Sequence, residues 1–194
     1  MEITSAVIKE LRDKTGISVM QCKKALEEAG GDMDKALIIL KKKSSEAADK
    51  KSDRVLAAGS VGVYVHNTNE VASIVTLSCE TDFVSKNEEF IALARDIAMH
   101  VAALDPTFIS RSEVDEVALQ KAKEVFGAEI VGKPADMVEK ILEGKLSSYF
   151  KEQILLEQPF IKNPDMTIGE LVTGAVQKFG ENINVTEMRR VSVK

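Results

Sequence analysis

The sequence predicts an α+β protein in which a three-helix bundle precedes a small antiparallel three-stranded sheet packed with several helices. Three observations support this fold class. Capped helical patterns with glycine turns fill residues 1–43, two alternating apolar runs follow Gly59, and another such run lies near the end of the chain. We divide the chain into a head (residues 1–43), a connecting segment (residues 44–58) and an α+β core domain (residues 59–194).

Each helix of the head has its own start or stop signal. Thr4 is placed to cap the first helix, and Gly16 is placed to end it in a left-handed conformation. Residues 18–21 have the spacing of a capping box for the second helix, and Asp32 is placed to cap the third. Three short helices make a bundle near the lower size limit for a free-standing core.

Residues 41–54 join the head to the core domain and offer almost nothing to bury. They are rich in Lys, Ser, Ala and Asp. Ala and Lys favour helix whereas Ser does not, so an exposed helix and a flexible linker both fit the composition. We favour a solvated tether, because such a run of charges is usually a solvated surface.

The core domain opens with a predicted hairpin. Valines alternate with Gly and Tyr along residues 61–65, a polar turn follows at residues 66–69, and residues 71–79 are again apolar or alternating. A final strand with a local irregularity is predicted at residues 183–193. We expect it to join the hairpin, which gives a three-stranded sheet that is stable only if a helix layer or another subunit covers it.

Helical patterns fill most of the rest of the core domain. Residues 85–88 have the spacing of a capping box, so we expect a long helix to begin at Ser85 and to end before Pro106. Further helices are predicted at residues 113–126, 134–151 and 167–179.

Charge and composition limit the classes of partner. The formal net charge of −5 argues against binding a nucleic-acid backbone, which requires a surplus of Lys and Arg. No segment approaches the roughly 20 apolar residues of a membrane helix, and the start of the chain lacks the features of a secretory signal. Cys22 and Cys79 have no paired spacing, so we expect reduced, packed thiols. We therefore expect a soluble cytoplasmic protein whose partners are proteins.

Candidate catalytic groups are few. Residues 127–133 match the glycine and lysine spacing of a phosphate loop, but Pro134 stands where that motif needs Ser or Thr. We favour a helix end followed by Pro134 at the start of the next helix. His66 and His100 are each expected to be a surface histidine or a buried, hydrogen-bonded one. No catalytic residue, metal site or cofactor is predicted.

Asp82 and Phe83 lie between the second predicted strand and the predicted cap at Ser85, where a residue of a tight turn projects. Spacing alone favours a structural role, with Phe83 packed under the helix and Asp82 holding the turn. The alternative is an exposed aromatic anchor with an acidic neighbour, which would fill a pocket in a partner.

Two long stretches are similar to the signatures of a known family. Residues 11–26 (LRDKTGISVMQCKKAL) resemble the amino-terminal signature of elongation factor Ts, and residues 79–87 (CETDFVSKN) resemble its second signature. Shorter stretches of family resemblance follow in collinear order, at residues 97–103, 158–160 and 167–171. The resemblance therefore spans nearly the whole chain.

The resemblance implies a guanine-nucleotide exchange factor, without bond-making catalysis, that accelerates GDP release from elongation factor Tu. It implies that the head is similar to a ubiquitin-associated domain and grips the partner's nucleotide-binding domain. The head contacts carried over to matching positions are Arg12, Val19, Met20 and Lys23, of which Val19 replaces a methionine found in some members. The element that the family associates with displacing magnesium from the partner is here the 81–84 turn, formed by Thr81, Asp82, Phe83 and Val84. Phe83 would enter an apolar pocket and Asp82 would make the accompanying polar contact.

The chain is short for this family, whose longer members carry a duplicated core and an inserted helical hairpin. From this length and the three-strand sheet we expect that the protein forms a homodimer. Two other classes of function remain: a general adaptor that uses the head, and a nucleotide-dependent enzyme that uses residues 127–133.

Overall fold

The computed structural model describes residues 3–130 and 135–193 and has the α+β architecture that the sequence predicts. Within these ranges it contains eight α-helices, a three-stranded sheet and a two-stranded sheet. The helices are α1 (Ser5–Thr15), α2 (Val19–Glu28), α3 (Met33–Asp49), α4 (Asp82–Ser85), α5 (Glu88–Leu104), α6 (Glu116–Glu129), α7 (Ala135–Gln153) and α8 (Ile168–Phe179). The strands are β1 (Ala58–Val65), β2 (Val71–Cys79), β3 (Pro159–Phe160), β4 (Asn163–Thr167) and β5 (Asn184–Ser192).

The head has its own small core, and its local signals act as predicted. The Thr4 hydroxyl accepts a hydrogen bond from the Val7 amide, and Gly16 ends α1 with a φ of 68°. Asp32 caps α3 by accepting from the Lys35 amide at 3.0 Å. The buried residues that α1–α3 and their connections share are Leu11, Ile17, Cys22, Ala25, Leu26, Ala36 and Leu40.

The connecting segment is not a solvated tether along its first part, because α3 continues to Asp49. Ser44 is buried against α8, where its hydroxyl hydrogen-bonds Gln177, and Ala48 packs against the core of the core domain. Small side chains allow two helices to approach closely. A sequence pattern based on large apolar residues does not reveal such a contact. Because α3 crosses the boundary drawn at residue 43, the division into a head and a core domain stays a prediction.

The three-stranded sheet has the order β1-β2-β5 and is antiparallel throughout. The predicted pairing of the last strand with the hairpin is therefore confirmed, and so is its irregularity, a register shift between Thr76 and Leu77. Helix α5 crosses one face so closely that a Cβ added at Gly62 would lie 2.1 Å from the Ala94 carbonyl oxygen. Only glycine fits that position without moving the helix.

The main core lies between this inner face of the sheet, α5 and α8. Its largest fully buried side chains include Leu77, Phe90, Ile97, Ile168 and Ile183. The opposite face, which we call the outer sheet face, carries side chains that are exposed in this chain. These are Val61, Val63, Val65, Ile74 and Val191.

The predicted helix start at Ser85 is wrong. Ser85 is the buried last residue of α4, and its hydroxyl donates to the Asp82 carbonyl at 3.2 Å. Helix α5 is capped instead by Asn87, which accepts from the Glu89 amide at 2.9 Å. Because Ser85 is buried and its hydroxyl is bonded within α4, the cap falls to Asn87, which was not predicted as a cap.

The remaining helices agree with the sequence patterns to within a few residues. Helix α6 begins after Asp115, which caps it, and residues 127–130 form its end, as expected for the stretch similar to a phosphate loop. The rest of that stretch and Pro134 lie outside the described residues. Helices α6 and α7 pack on each other around a third apolar cluster. The β3–β4 pair was not predicted, since its strands are too short for a periodic pattern.

Candidate partner-binding site

The 81–84 turn is a single helical turn that projects between β2 and α5. Thr81 is the N-cap of α4, and Asp82 and Phe83 are exposed. Phe83 is 85% exposed, and it is the one exposed member of the chain's seven phenylalanines, all of which lie in the described ranges. The interpretation from spacing, that Phe83 packs under the helix, is therefore wrong. The ring is displayed to solvent.

The residues that follow Phe83, together with Ser60 of β1, hold the turn against the core domain. Val84 is buried in the main core, so its side chain anchors the turn to the core domain. The Ser60 hydroxyl donates to the Ser85 carbonyl at 2.5 Å, and the Asn87 amide donates to the Val84 carbonyl at 3.0 Å. These contacts hold the backbone under Phe83 in one place.

The polar groups around the turn have defined protonation states. Lys86 Nζ donates to Asp82 Oδ2 at 2.7 Å, and this hydrogen bond lowers the pKa of Asp82. Asp82 is therefore an anion at neutral pH. Behind the turn, burial raises the pKa of the Cys79 thiol, which donates to the Thr81 carbonyl at 3.2 Å. Cys79 is thus a neutral packing thiol, as is buried Cys22.

A loop distant in sequence supports the turn from the side. The Glu181 carboxylate accepts hydrogen bonds from the Glu80 and Thr81 amides at 3.0 Å each and from the Thr81 hydroxyl at 2.5 Å. Sequence reasoning missed Glu181. No local signal shows that its carboxylate reaches residues about a hundred positions earlier in the chain.

The predicted head residues are all exposed. Arg12 lies on α1, and Val19, Met20 and Lys23 lie on α2, with Val19 and Met20 at its first turn. Met20 is 63% exposed, which is high for an apolar side chain. Ile17 and Cys22 are buried on either side in sequence and fix the start of α2 on the head core. The head thus presents two exposed apolar side chains on α2, together with an exposed cation on α1 and another on α2.

The loop at residues 180–182 lies near α2 and also supports the 81–84 turn. Gln21 and Lys24 of α2 line a groove together with Gly180, which ends α8. Gly180 directly precedes Glu181, whose carboxylate holds Thr81. The loop at residues 180–182 thus has Gly180 in a groove shared with α2 and Glu181 bonded to Thr81.

The two histidines, which were considered as possible catalytic bases, lie in different surroundings. His100 is buried, with Nε2 2.8 Å from Gln158 Oε1 and Nδ1 accepting from the Ile161 amide at 3.3 Å. His66 is exposed beside the Tyr64 hydroxyl. Both outcomes agree with the prediction. Residues 3–130 and 135–193 contain no group of three or more His, Cys, Asp or Glu side chains placed to hold a metal ion. No helix within those ranges has the length and apolar character needed to cross a bilayer.

Comparison with known proteins gives matches along nearly the whole chain. A family model described as Elongation factor TS matches residues 4–194. The chain is 48% identical over 190 residues to Elongation factor Ts of Carboxydothermus hydrogenoformans, which covers 97% of this chain and 88% of that protein. It is 47% identical over 194 residues to Elongation factor Ts of Thermodesulfovibrio yellowstonii, which covers 100% of this chain and 97% of that protein.

These matches place the chain among the translation elongation factors. Within that class, the chain belongs to the elongation factor Ts family. Because the chain spans 88% and 97% of the length of these two relatives, it is not short beside them. The length of the chain therefore does not support the prediction of a homodimer, and an argument for it must come from the structure.

Proposed function

We propose that this chain is a guanine-nucleotide exchange factor for elongation factor Tu in the cytoplasm. It promotes GDP release by disturbing the magnesium and phosphate site of the partner. The observation that carries the proposal is the display of Phe83, 85% exposed on a braced turn, within the stretch that resembles the second family signature. Membership of the elongation factor Ts family supports the choice of partner.

Insertion of the 81–84 turn would change the electrostatic surroundings of the magnesium ion in the partner. Magnesium neutralises phosphate charge, so a change in its surroundings weakens nucleotide binding without breaking a covalent bond. Phe83 would fill an apolar pocket, while the neighbouring Asp82 carboxylate brings a negative charge close to the site. Linkage makes the effect reciprocal, since the factor and the nucleotide weaken each other's binding by the same ratio.

We expect the chain to contact the partner at two places, because one contact is too weak to account for strong acceleration of GDP release. Coupling between two ligands is typically about 1–3 kcal/mol, so one exposed side chain gives only moderate exchange by itself. The head offers a second contact, made of exposed apolar Val19 and Met20 and exposed cationic Arg12 and Lys23. Binding of the head raises the local concentration of the turn at the partner. The net charge of −5 argues against a direct nucleic-acid contact in this role.

Release of fluorescent GDP from elongation factor Tu tests the proposal. The wild-type chain should accelerate release strongly at millimolar magnesium. In excess chelator the magnesium is already absent, so the additional acceleration by the factor should shrink. Equal acceleration with and without magnesium would refute the magnesium route, and no acceleration at all would refute the exchange function.

We also propose that two copies associate through the outer sheet face. Its exposed valines and Ile74 form an apolar patch, and such patches on folded proteins are usually interaction sites. Glu187 and Arg189 lie beside Thr76 and Ile74 on the same face and pair with each other at 3.5 Å, so neither charge need be left unpaired in such an interface.

Sedimentation of the free protein tests this association. The wild type should sediment as a dimer at micromolar concentration, and Val63→Glu should return it to a monomer because a buried charge lacks a partner. Val117→Glu, on the exposed surface of α6, is the matched control and should leave the dimer intact. A wild type that stays a 21.2 kDa monomer across this range contradicts the proposal.

A further inference from the structure

The 81–84 turn is held at its entrance by a side chain from another part of the chain. Thr81 is the N-cap of α4, yet its hydroxyl makes no capping hydrogen bond to that helix. It donates instead to Glu181 Oε1 at 2.5 Å, while Glu181 Oε2 accepts from the Glu80 and Thr81 amides. One carboxylate thus satisfies three donors at the point where the chain leaves β2.

These hydrogen bonds are suited to orienting the turn. Hydrogen bonds to an ionised carboxylate are roughly twice as strong as those between neutral groups. They act on two consecutive amides, so they fix the direction of the backbone immediately before Asp82 and Phe83. Val84 anchors the other side of Phe83 in the main core. The exposed ring is therefore held between a polar support and an apolar one.

The loop that carries Glu181 is itself fixed. Gly180 ends α8 with a φ of 76°, and Asn182 is buried. The Asn182 backbone amide donates to Glu80 Oε1 at 2.6 Å, and the Glu80 amide donates to Glu181 Oε2, so the end of β2 and this loop are joined by hydrogen bonds in both directions. Asn182 Nδ2 also donates to the Ser52 carbonyl at 3.2 Å, which ties the connecting segment to the same loop.

We propose that Glu181 is the positioning residue of the 81–84 turn, and that it acts on the partner only by holding Phe83 in its docking orientation. This inference rests on the exchange function proposed above. Glu181 is half-buried and its carboxylate is engaged with the turn, so it positions Phe83 rather than entering the partner itself.

The first test compares Glu181 variants in the fluorescent GDP release assay. Glu181→Ala should lower the maximal release rate about tenfold or more, the size expected for losing charge-assisted hydrogen bonds. Glu181→Gln keeps the shape and one acceptor and should recover part of the rate. Glu143→Ala removes an exposed carboxylate from α7 and should match the wild type. A Glu181→Ala variant with wild-type exchange would overturn the proposal.

A double-mutant cycle separates positioning from an independent contact. If Glu181 acts through Phe83, then adding Glu181→Ala to a Phe83→Ala chain should reduce the release rate by less than about twofold, because coupled residues are not additive. Full additivity of the two losses would mean that Glu181 contributes by another route and would overturn the proposal.

Amide hydrogen exchange gives a readout that needs no partner. The Glu80 and Thr81 amides should exchange faster in Glu181→Gln and Glu181→Ala than in the wild type, while amides in the middle of α5 stay protected. If Glu181→Ala does not fold, Glu181→Gln carries both measurements. Unchanged exchange at these amides refutes the positioning role, whereas a wild type that never accelerates GDP release refutes only the proposed function.

Discussion

Replacement of Phe83 by alanine is the most direct perturbation of this protein. The side chain is 85% exposed, and the structural work at this point is done by its buried neighbour Val84. The substitution should therefore change the free energy of unfolding by no more than about 0.5 kcal/mol, as is usual at exposed positions. Its effect is expected in the complex.

The size of that effect follows from the area still available for burial. Complete burial of a phenylalanine side chain contributes about 1.5–3 kcal/mol relative to leaving it exposed. Because nearly all of the ring is exposed in the free protein, nearly all of this is gained on docking. Phe83→Ala should weaken the productive complex with elongation factor Tu about 10- to 150-fold.

Stopped-flow release of fluorescent GDP, titrated with each variant, measures this loss. Val117→Ala truncates another exposed apolar side chain, on α6, and should titrate as the wild type does. Phe83→Leu keeps an apolar side chain and should lose less than Phe83→Ala. The reasoning fails if Phe83→Ala titrates like the wild type, or if its urea midpoint falls enough to show that the ring supports the fold.

Three further predictions concern the fold. Burial lowers the pKa of His100, whose Nδ1 must stay unprotonated to accept from the Ile161 amide. The stability that neutral His100 contributes should be present above pH about 6.5 and lost as pH falls below that value. Urea unfolding midpoints measured against pH should therefore decrease over this range in the wild type. His100→Gln should remove that decrease. Gly62→Ala should destabilise by at least about 1–3 kcal/mol, since its Cβ would overlap the Ala94 carbonyl, as thermal unfolding will show. Gly144→Ala, in α7 with open space around it, should instead stabilise by about 0.5–1 kcal/mol in the same measurement.

Helix ends were predictable where the signal is local. Thr4, Gly16 and Asp32 act as expected because a cap depends on groups within a few residues along the chain. At residues 85–88 the spacing of a capping box predicted Ser85 as the cap, and that prediction failed. Burial of Ser85 against β1, where Ser60 donates to its carbonyl, left Asn87 as the cap.

The connecting segment shows a limit of composition. Residues 41–54 lack large apolar side chains, which favoured a tether over a helix. In the structure, α3 continues to Asp49 because Ser44 and Ala48 are small enough to let α8 approach. Composition indicates how much apolar surface a segment can bury. It does not indicate whether another helix lies close enough to bury small side chains such as Ser and Ala.

The sequence by itself determined the fold class, the three capped helices of the head, the pairing of the last strand with the hairpin and the position of the 81–84 turn. These follow from periodicity and local hydrogen bonding, and the family resemblance points to the same turn. Only the tertiary structure decided which of Phe83 and Val84 is buried. Adjacent residues on a helical turn point about 100° apart, so the direction of the core had to be known. The tertiary structure likewise decided that Glu181 holds the turn, because a contact across a hundred residues depends on how the sheet and α8 pack together.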